Sequence, residues 1–309
     1  PIRPIEGDNK AIYRSFTFGN LVSLNMLETR LLARDKQLSY TDYYDENGKF
    51  DETRFTQDLT SESRKLIGDK QFKWLQNEFS NSSTIWQVIA QQVLMGRMWL
   101  PAEVLSPIAQ LDNPEAFGTT KEELIAKINN LIEELVSIKM EILKGKTVKD
   151  EIKTRLNKTL PYNLDAWDGY PIERERLFAL AKGYQKNLVV LSGDTHNSWG
   201  NNLKDINGEK IGVEFATTSV SSPGMEEYLG LNSTEDAKKL ESALEVLLDD
   251  LKYTNLNNRG FLEVIFTQDE AKATWHHIDN VDSKEYEIIK SREKTLVCKF
   301  GKKELEDPS

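Results

Sequence analysis

Residues 189–199 constrain the possible folds of this chain more than any other segment. Their sequence, Val-Val-Leu-Ser-Gly-Asp-Thr-His-Asn-Ser-Trp, is a short apolar run that passes directly into glycine, aspartate and histidine. A short apolar run rich in valine predicts a strand that is buried in a sheet. Because ligands bind at the carboxyl ends of strands in open α/β sheets, the polar residues that follow are candidates for a binding site.

Helical and strand-like segments alternate along the rest of the chain, which predicts an α/β fold. Residues 69–79 have helical periodicity, and an apolar strand-like segment, 84–95, follows them. The same order, a helix and then a buried strand, recurs at 173–182 and 187–191. The other segments that predict regular structure are a hairpin at 13–26, strands at 211–217 and 295–300, a helix at 235–251 and a hairpin at 259–278.

Composition and charge narrow the class of protein. The 309 residues are 39% hydrophobic and 29% charged, which suits a globular chain of one or two domains. The net charge of -10 argues against a long nucleic-acid groove or a site for anionic membranes, since both require a basic surface. The single cysteine, Cys298, excludes an internal disulfide and a multi-cysteine zinc site. No apolar run approaches the roughly 18 residues of a spanning helix, so no transmembrane segment is predicted.

A long amphipathic helix is predicted at residues 120–143. Its apolar residues are spaced alternately four and three apart, as in a coiled-coil seam, and they are Leu124, Ile128, Leu131, Leu135, Ile138 and Ile142. One interpretation is a dimerisation helix. The other, which we expect because most such stripes face the core of their own fold, is an antiparallel hairpin whose second helix begins near residue 150. A monomer is therefore favoured, and an oligomer through helix 120–143 is the alternative.

Asp194 and His196 are the strongest candidates for chemistry. They are two residues apart in a loop, so their side chains can point the same way, and a carboxylate with an imidazole suits a hard or borderline metal ion. The alternative is a capping aspartate and a surface histidine, since short motifs often match by chance. The other two histidines, His276 and His277, are adjacent on a predicted strand and therefore face opposite sides, one in the core and one at the surface.

Two further segments carry polar residues that a site would use. Residues 165–171 contain Asp168 before a helix predicted to start near Pro171, so Asp168 is a candidate metal ligand, substrate contact or helix cap. Residues 215–224 end in a run of hydroxyl side chains, which would line a polar pocket or bond to the backbone of their own loop. The sequence has no nucleophile elbow, phosphate-binding loop or dinucleotide fingerprint, which leaves metal-assisted hydrolysis as the expected reaction class.

Several stretches together resemble the family of PhoD-like phosphatases (alkaline phosphatase D). Residues 189–199 resemble the family signature V-V-L-[ST]-G-D-x-H-x-x-W. The other matching stretches follow in the family's order and are Y-R-S-F at 13–16, L-D-T-R at 27–30, L-G-x-x-Q-x-x-W-L at 66–75, T-W-K-V with N-Q-V at 84–93, W-D-G-Y-P-x-x-R at 167–174, V-E-F with S-P-G at 213–224, and R-R-G-Y with a tryptophan at 258–275. Glu28 and Gln91 replace the family's aspartate and asparagine.

The resemblance implies an α/β/β/α sandwich of the metallophosphoesterase type, a hydrolase acting on small phosphate monoesters and diesters. It implies ferric iron and calcium as cofactors, with manganese or zinc as alternatives. It assigns six residues to the site: the metal ligands Asp194 and His196, and the supporting residues Asn197, Trp199, Asp168 and Arg174. The last two would brace the site from the neighbouring loop.

The family's other metal ligands lie upstream of the Y-R-S-F motif, and nothing in this chain matches them. The chain begins at Pro1 rather than methionine, so we expect the C-terminal portion of a PhoD-like domain, incomplete at its N-terminus, with a helical insertion at about 112–158 and a tail at about 281–309. The resemblance implies a periplasmic, secreted or cell-surface bacterial protein, although no signal peptide is present. The alternative function is a non-catalytic homologue or fragment that acts as a structural or partner-binding module.

Overall fold

A computed structural model describes residues 11–46, 48–111, 113–231 and 233–308. The strands are β1 (Arg14–Phe18), β2 (Val22–Met26), β3 (Trp86–Ala90), β4 (Trp99–Pro101), β5 (Thr159–Pro161), β6 (Asn187–Ser192), β7 (Ser198–Lys204), β8 (Lys210–Ala216), β9 (Leu251–Asn255), β10 (Arg259–Phe266), β11 (Glu270–Ile278) and β12 (Lys294–Lys299). The helices are α1 (Glu52–Leu59), α2 (Gly68–Asn81), α3 (Ala102–Ala109), α4 (Lys121–Leu143), α5 (Asp150–Asn157), α6 (Pro171–Gly183), α7 (Met225–Leu229) and α8 (Thr234–Leu247).

A seven-stranded mixed sheet with the order β1-β2-β3-β6-β8-β7-β9 forms the centre of the fold. Strands β2, β3, β6 and β8 are mutually parallel, and β1, β7 and β9 each run antiparallel to a neighbour. The carboxyl ends of the four parallel strands therefore meet at one edge of the sheet. The predicted strand at 84–95 is shorter than expected, because it ends at Ala90 and a loop follows.

A three-stranded antiparallel sheet, β10-β11-β12, packs on one face of the large sheet. The alternate residues Ala271, Ala273 and Trp275 of β11 are fully buried and point into this interface. Trp86 and Phe215 of the large sheet pack against them. The predicted hairpin at 259–278 is confirmed. The segment predicted as a C-terminal tail contributes β12, so part of it belongs to the core.

Helices cover the opposite face of the large sheet. Leu75 and Phe79 of α2 and Phe178 of α6 are buried in the same cluster as Val190 of β6. Helices, large sheet and small sheet thus form successive layers around two apolar cores. The predicted α/β sandwich is confirmed.

The apolar stripe of α4 is covered by this chain's own helices. Thr120 caps the helix with a capping box, which fixes the start predicted from the sequence. Of the stripe residues, Leu124, Ile128 and Leu135 are buried, and Ile132 beside the stripe is buried as well. Ile128, Ile132 and Leu135 pack against Val104 of α3 and Ala243 of α8. The stripe therefore stabilises the packing of α4 on its own fold, and β4 pairs with β5 at the two ends of the segment that contains α3, α4 and α5. No helix within the described ranges is long and apolar enough to cross a membrane.

Acidification should weaken the contact between the two sheets at His277. This side chain is fully buried on β11, its Nδ1 lies 3.0 Å from the carbonyl oxygen of Arg292, and its Nε2 lies 3.1 Å from the hydroxyl of Ser198 on β7. Burial lowers the pKa of His277 to about 4, whereas an unfolded histidine titrates near 6.5. Between those values the unfolded chain binds more protons, so stability falls as pH drops, by up to about 3 kcal/mol for the whole interval.

The measurement is urea unfolding of the wild type and His277→Asn between pH 4 and 7.5. We expect the advantage of the wild type over the variant to shrink steadily towards pH 4. The neighbouring variant His276→Asn should not remove this slope, because His276 is half-buried on the other face of the strand. An advantage that is the same at every pH would show that His277 does not titrate on unfolding.

Candidate metal centre

The loops that follow the parallel strands bring the candidate residues to one edge of the large sheet. Arg30 follows β2, Gln92 follows β3, and Asp194 and His196 follow β6. Thr217 follows β8 beside them, and its N–H donates to the carbonyl oxygen of Ser192 at 2.9 Å. This edge is where open α/β sheets bind their ligands, as the sequence predicts.

The backbone is strained at both predicted metal ligands. Asp194 has a φ of 73° and His196 a φ of 61°, which is the left-handed region that residues other than glycine seldom occupy. Each such residue costs on the order of 1–3 kcal/mol and persists only where its surroundings fix it. Here the hydroxyl of Thr218 donates to the carbonyl oxygen of His196 at 2.9 Å. Strain of this kind clusters at functional sites, and both residues line the same cavity.

The imidazole of His196 is oriented for ligation through Nε2. Its Nδ1 lies 2.6 Å from the carbonyl oxygen of Pro223. A carbonyl oxygen only accepts, so Nδ1 donates this hydrogen bond, and in the neutral imidazole the lone pair is then on Nε2. A backbone carbonyl that holds the second ring nitrogen is the usual arrangement around a metal-bound histidine.

An arginine–carboxylate cluster surrounds Asp194. Arg30 forms an ion pair with Asp194 and a second one with Asp165, at 2.7 Å. Arg34 pairs with the other oxygen of Asp165. Neither Arg30 nor Asp165 was predicted from the sequence as a site residue. The position of Arg30 just after a parallel strand was the signal that could have identified it.

Asn197 and Trp199 tie the Asp194–His196 loop to the surrounding wall. Asn197 is buried, and its amide donates to the carbonyl oxygen of Leu256 at 2.6 Å and accepts from the N–H of Met225 at 3.1 Å. The indole N–H of Trp199 donates to the hydroxyl of Thr195 at 2.8 Å. These contacts fix the loop that contains both candidate ligands, Asp194 and His196. This is compatible with the supporting role expected of Asn197 and Trp199.

Asp168 and Arg174 lie in the core beneath the loop that follows β3. The carboxylate of Asp168 accepts from the N–H of Met98 at 2.7 Å and the indole N–H of Trp99 at 3.1 Å. The guanidinium Nε of Arg174 donates to the carbonyl oxygen of Met95 at 2.8 Å. Burial raises the pKa of Asp168 to about 6, against the opposing charge of Arg174. Both residues brace the loop at 91–98, and neither lines the two cavities beside Asp194.

Glu214 is a further buried group that the sequence analysis did not single out. It lies on β8 and accepts from the N–H groups of Met95 and Gly96, at 2.6 and 2.7 Å. It also accepts from the hydroxyl of Ser192 at 2.8 Å and the amide of Asn201 at 2.9 Å. Glu214 therefore joins β6, β7 and the loop after β3 at the centre of the sheet.

The hydroxyl side chains of Thr217, Thr218 and Ser219 bond to backbone groups. Thr218 donates to the carbonyl oxygens of His196 and Asn258, and Ser219 donates to that of Ser222. Of the two interpretations of this segment, the structure supports the one in which the hydroxyls stabilise the loops around the site.

Two cavities meet at Asp194. One, of about 530 Å³, extends towards α3 and α7 and is also lined by Asp165 and His196. The other, an open cleft of about 820 Å³ between the sheets, is lined by Arg30, Gln92 and Phe261. Among the residues whose placement is described, no three His, Cys, Asp or Glu side chains converge as a metal-binding group.

Comparison with known proteins settles the family. The profile of the PhoD-like phosphatase family matches residues 1–275. The chain belongs to this family. It is 28% identical over 224 residues to alkaline phosphatase D of Bacillus subtilis (strain 168), an alignment that covers 71% of this chain and 27% of that protein. A solved structure of PhoD matches with a TM-score of 0.59 at 23% identity, covering 96% of this chain and 44% of that one. The PhoD-like chain thus spans about a quarter of its curated relative and less than half of the solved one.

Proposed function

We propose that this PhoD-like chain is part of a metal-dependent phosphatase or phosphodiesterase that hydrolyses small phosphate esters. The observation that carries the proposal is the strained Asp194–His196 pair at the carboxyl edge of the sheet, with Arg30 in contact with Asp194. A ligand pair beside a guanidinium suits a phosphate ester, since the metal and the arginine can each bind phosphate oxygens. Membership of the family supports the same reaction class.

The donor set fits the metals that the resemblance implies. Asp194 offers a hard carboxylate and His196 a neutral imidazole nitrogen, which suit ferric iron, calcium, manganese or zinc to different degrees. A metal bound there would polarise the phosphoryl oxygens and lower the pKa of a bound water. Arg30 would hold the phosphate in a bidentate contact, and Asp165 would keep the guanidinium in position.

We also propose that the remaining metal ligands come from polypeptide outside residues 1–309, so that this chain is the C-terminal portion of a PhoD-like domain. A catalytic metal site generally needs at least three protein ligands, and this edge supplies Asp194 and His196. The open cleft of about 820 Å³ beside Asp194 offers room for further ligands. The coverage of 27% and 44% of the two relatives is in keeping with this proposal.

The test is hydrolysis of a chromogenic phosphodiester by this chain and by a longer polypeptide of the same gene. Each is assayed with iron plus calcium, with manganese and with zinc, before and after chelation. We expect metal-dependent turnover that is greater in the longer polypeptide. Absence of turnover from both with every metal would contradict the proposal and favour a non-catalytic homologue. From the resemblance alone we further propose a periplasmic, secreted or cell-surface location, which cell fractionation would test.

Arg30→Ala should change metal affinity and phosphate affinity in opposite directions. The guanidinium of Arg30 forms an ion pair with the Asp194 carboxylate. Removal of the guanidinium leaves that carboxylate free to bind a metal ion and should raise the affinity for manganese or calcium several-fold. The same change removes charge-assisted hydrogen bonds to phosphate and should weaken phosphate binding by about tenfold. Calorimetric titration with each ligand measures both effects.

Arg34→Ala is the matched control. It removes an arginine from the same cluster, but one that pairs with Asp165. We expect smaller changes in both affinities. Equal effects of the two variants would mean that the cluster acts only through its net charge.

A further inference from the structure

We infer that the 530 Å³ cavity beside Asp194 and His196 receives the alcohol group of the substrate, and that this alcohol is a compact apolar group, either a short alkyl chain or an aromatic ring. The inference rests on the proposed hydrolysis of phosphate esters and adds the class of ester. The volume of the cavity lies within the range of small-molecule sites, about 300–1,000 Å³.

The cavity has a charged end and an apolar wall, and polar side chains line the rest of it. Asp165, Asp194 and His196 lie at the charged end, where the open cleft with Arg30 also begins. The walls beyond them are formed by apolar side chains from α3, α7 and the loops after β3 and β5: Met98, Leu105, Ile108, Tyr162, Met225 and Leu229. A phosphate held at Asp194 would therefore direct one ester group towards this apolar wall of the chamber.

Polar groups in the deeper walls already have partners. The hydroxyl of Tyr40 donates to the carbonyl oxygen of Pro161 at 2.5 Å, and the side-chain oxygen of Asn163 accepts from the N–H of Asp165 at 3.0 Å. Exposed polar side chains also belong to the lining, among them Gln37, Ser39, Thr41 and Lys121. A polyol placed against the apolar wall would lose its water without gaining partners there, which is unfavourable. An alkyl or aryl group has no hydrogen bonds with water to lose, and its binding removes apolar surface from water.

The far end of the cavity sets a limit on length. Met98, Ile108 and Leu229 separate it from a second crevice beneath α4, lined by Ile128 and Ile132. That crevice has room for only about 30 Å³, little more than one water molecule. A short chain fits in front of this partition, whereas a long lipid chain would have to displace it.

The test is calorimetric binding of n-alkyl phosphates from methyl to octyl at one fixed metal concentration. Two control ligands are included. Inorganic phosphate lacks the alkyl group, and n-hexanol lacks the phosphate. We expect affinity to rise about two- to fourfold with each methylene and then to level off where the chain reaches the partition. Ala109, which lines the chamber on α3, provides a variant: Ala109→Phe should shorten the chain length at which affinity levels off.

The matched control is Ala126→Phe, which places the same ring on the exposed face of α4. It should leave the whole series unchanged, and both variants should bind inorganic phosphate like the wild type. Affinity that does not depend on chain length, or binding of no member of the series, overturns the inference. If the longer polypeptide still hydrolyses a chromogenic phosphodiester in that case, the reaction class stands and only the apolar alcohol is wrong.

Discussion

Asp194→Asn should reduce phosphodiester hydrolysis by about a thousandfold or more and weaken divalent-cation binding by at least about tenfold. The amide is a far poorer ligand for a hard cation than the carboxylate, and the charge that the metal needs is lost. The fold should survive, because asparagine tolerates the left-handed backbone at this position better than most residues. Hydrolysis is measured on the longer polypeptide with its preferred metal, and cation binding by calorimetry.

Asp165→Asn provides the control for Asp194→Asn. It removes a carboxylate that also pairs with Arg30, but from the loop before α6 instead of the loop after β6. We expect a smaller loss of turnover and nearly unchanged cation affinity. If Asp165→Asn weakened cation binding as much as Asp194→Asn, the metal would have to be placed at the arginine–carboxylate cluster and not at the Asp194–His196 pair.

The position of the candidate site at the edge of the sheet was predictable because it depends on local sequence. Val189 and Val190 predict a buried strand, and the residues that follow a buried parallel strand lie at the ligand-binding edge. The strand and the residues that follow it can both be identified from neighbouring positions in the sequence. The same holds for α4, whose capping threonine and apolar stripe are contained in one continuous segment.

The partners of the site residues were not predictable in the same way. Arg30 and Asp194 are 164 positions apart, and Asp168 and Met98 are 70 positions apart. Nothing in the local pattern distinguishes Asp168 as a metal ligand from Asp168 as a brace for a distant loop. Only the folded chain shows that its carboxylate is occupied by backbone and indole N–H groups.

Strand β7 shows that secondary structure also depends on partners that are distant in the sequence. It contains the polar pair Asn201 and Asn202, so its pattern does not predict a buried strand. Both side chains are buried because distant partners satisfy them: Asn201 donates to Glu214, and Asn202 accepts from the N–H of Leu305 at 2.8 Å. A strand whose burial depends on such partners cannot be identified from its own residues.

Glu214→Ala should destabilise the fold by about 4 kcal/mol, the largest stability loss that we expect from a single side chain here. Burial raises the pKa of Glu214, and the four hydrogen bonds that it accepts oppose that shift. Alanine would leave four buried donors without an acceptor, at about 1–3 kcal/mol each before any of them finds a new partner. It would also leave a cavity at the centre of the sheet.

Glu214→Gln separates the hydrogen bonds from the volume. It fills the same space and keeps one oxygen, but its amide nitrogen faces donors, so we expect a loss of about 2 kcal/mol. Glu263→Ala, on the exposed face of β10, is the control and should stay within about 0.5 kcal/mol of the wild type. Urea unfolding at pH 7 gives all three values.

The effect should extend from the sheet to the candidate metal centre. Glu214 holds the loop at 91–98 through Met95 and Gly96, and Gln92 in that loop accepts from the N–H of Thr29 at 3.1 Å, next to Arg30. Loosening this loop should therefore weaken phosphate binding in Glu214→Gln even where the protein remains folded. A variant that lost stability but bound phosphate like the wild type would show that Arg30 is positioned by its carboxylate partners alone, without the loop beneath it.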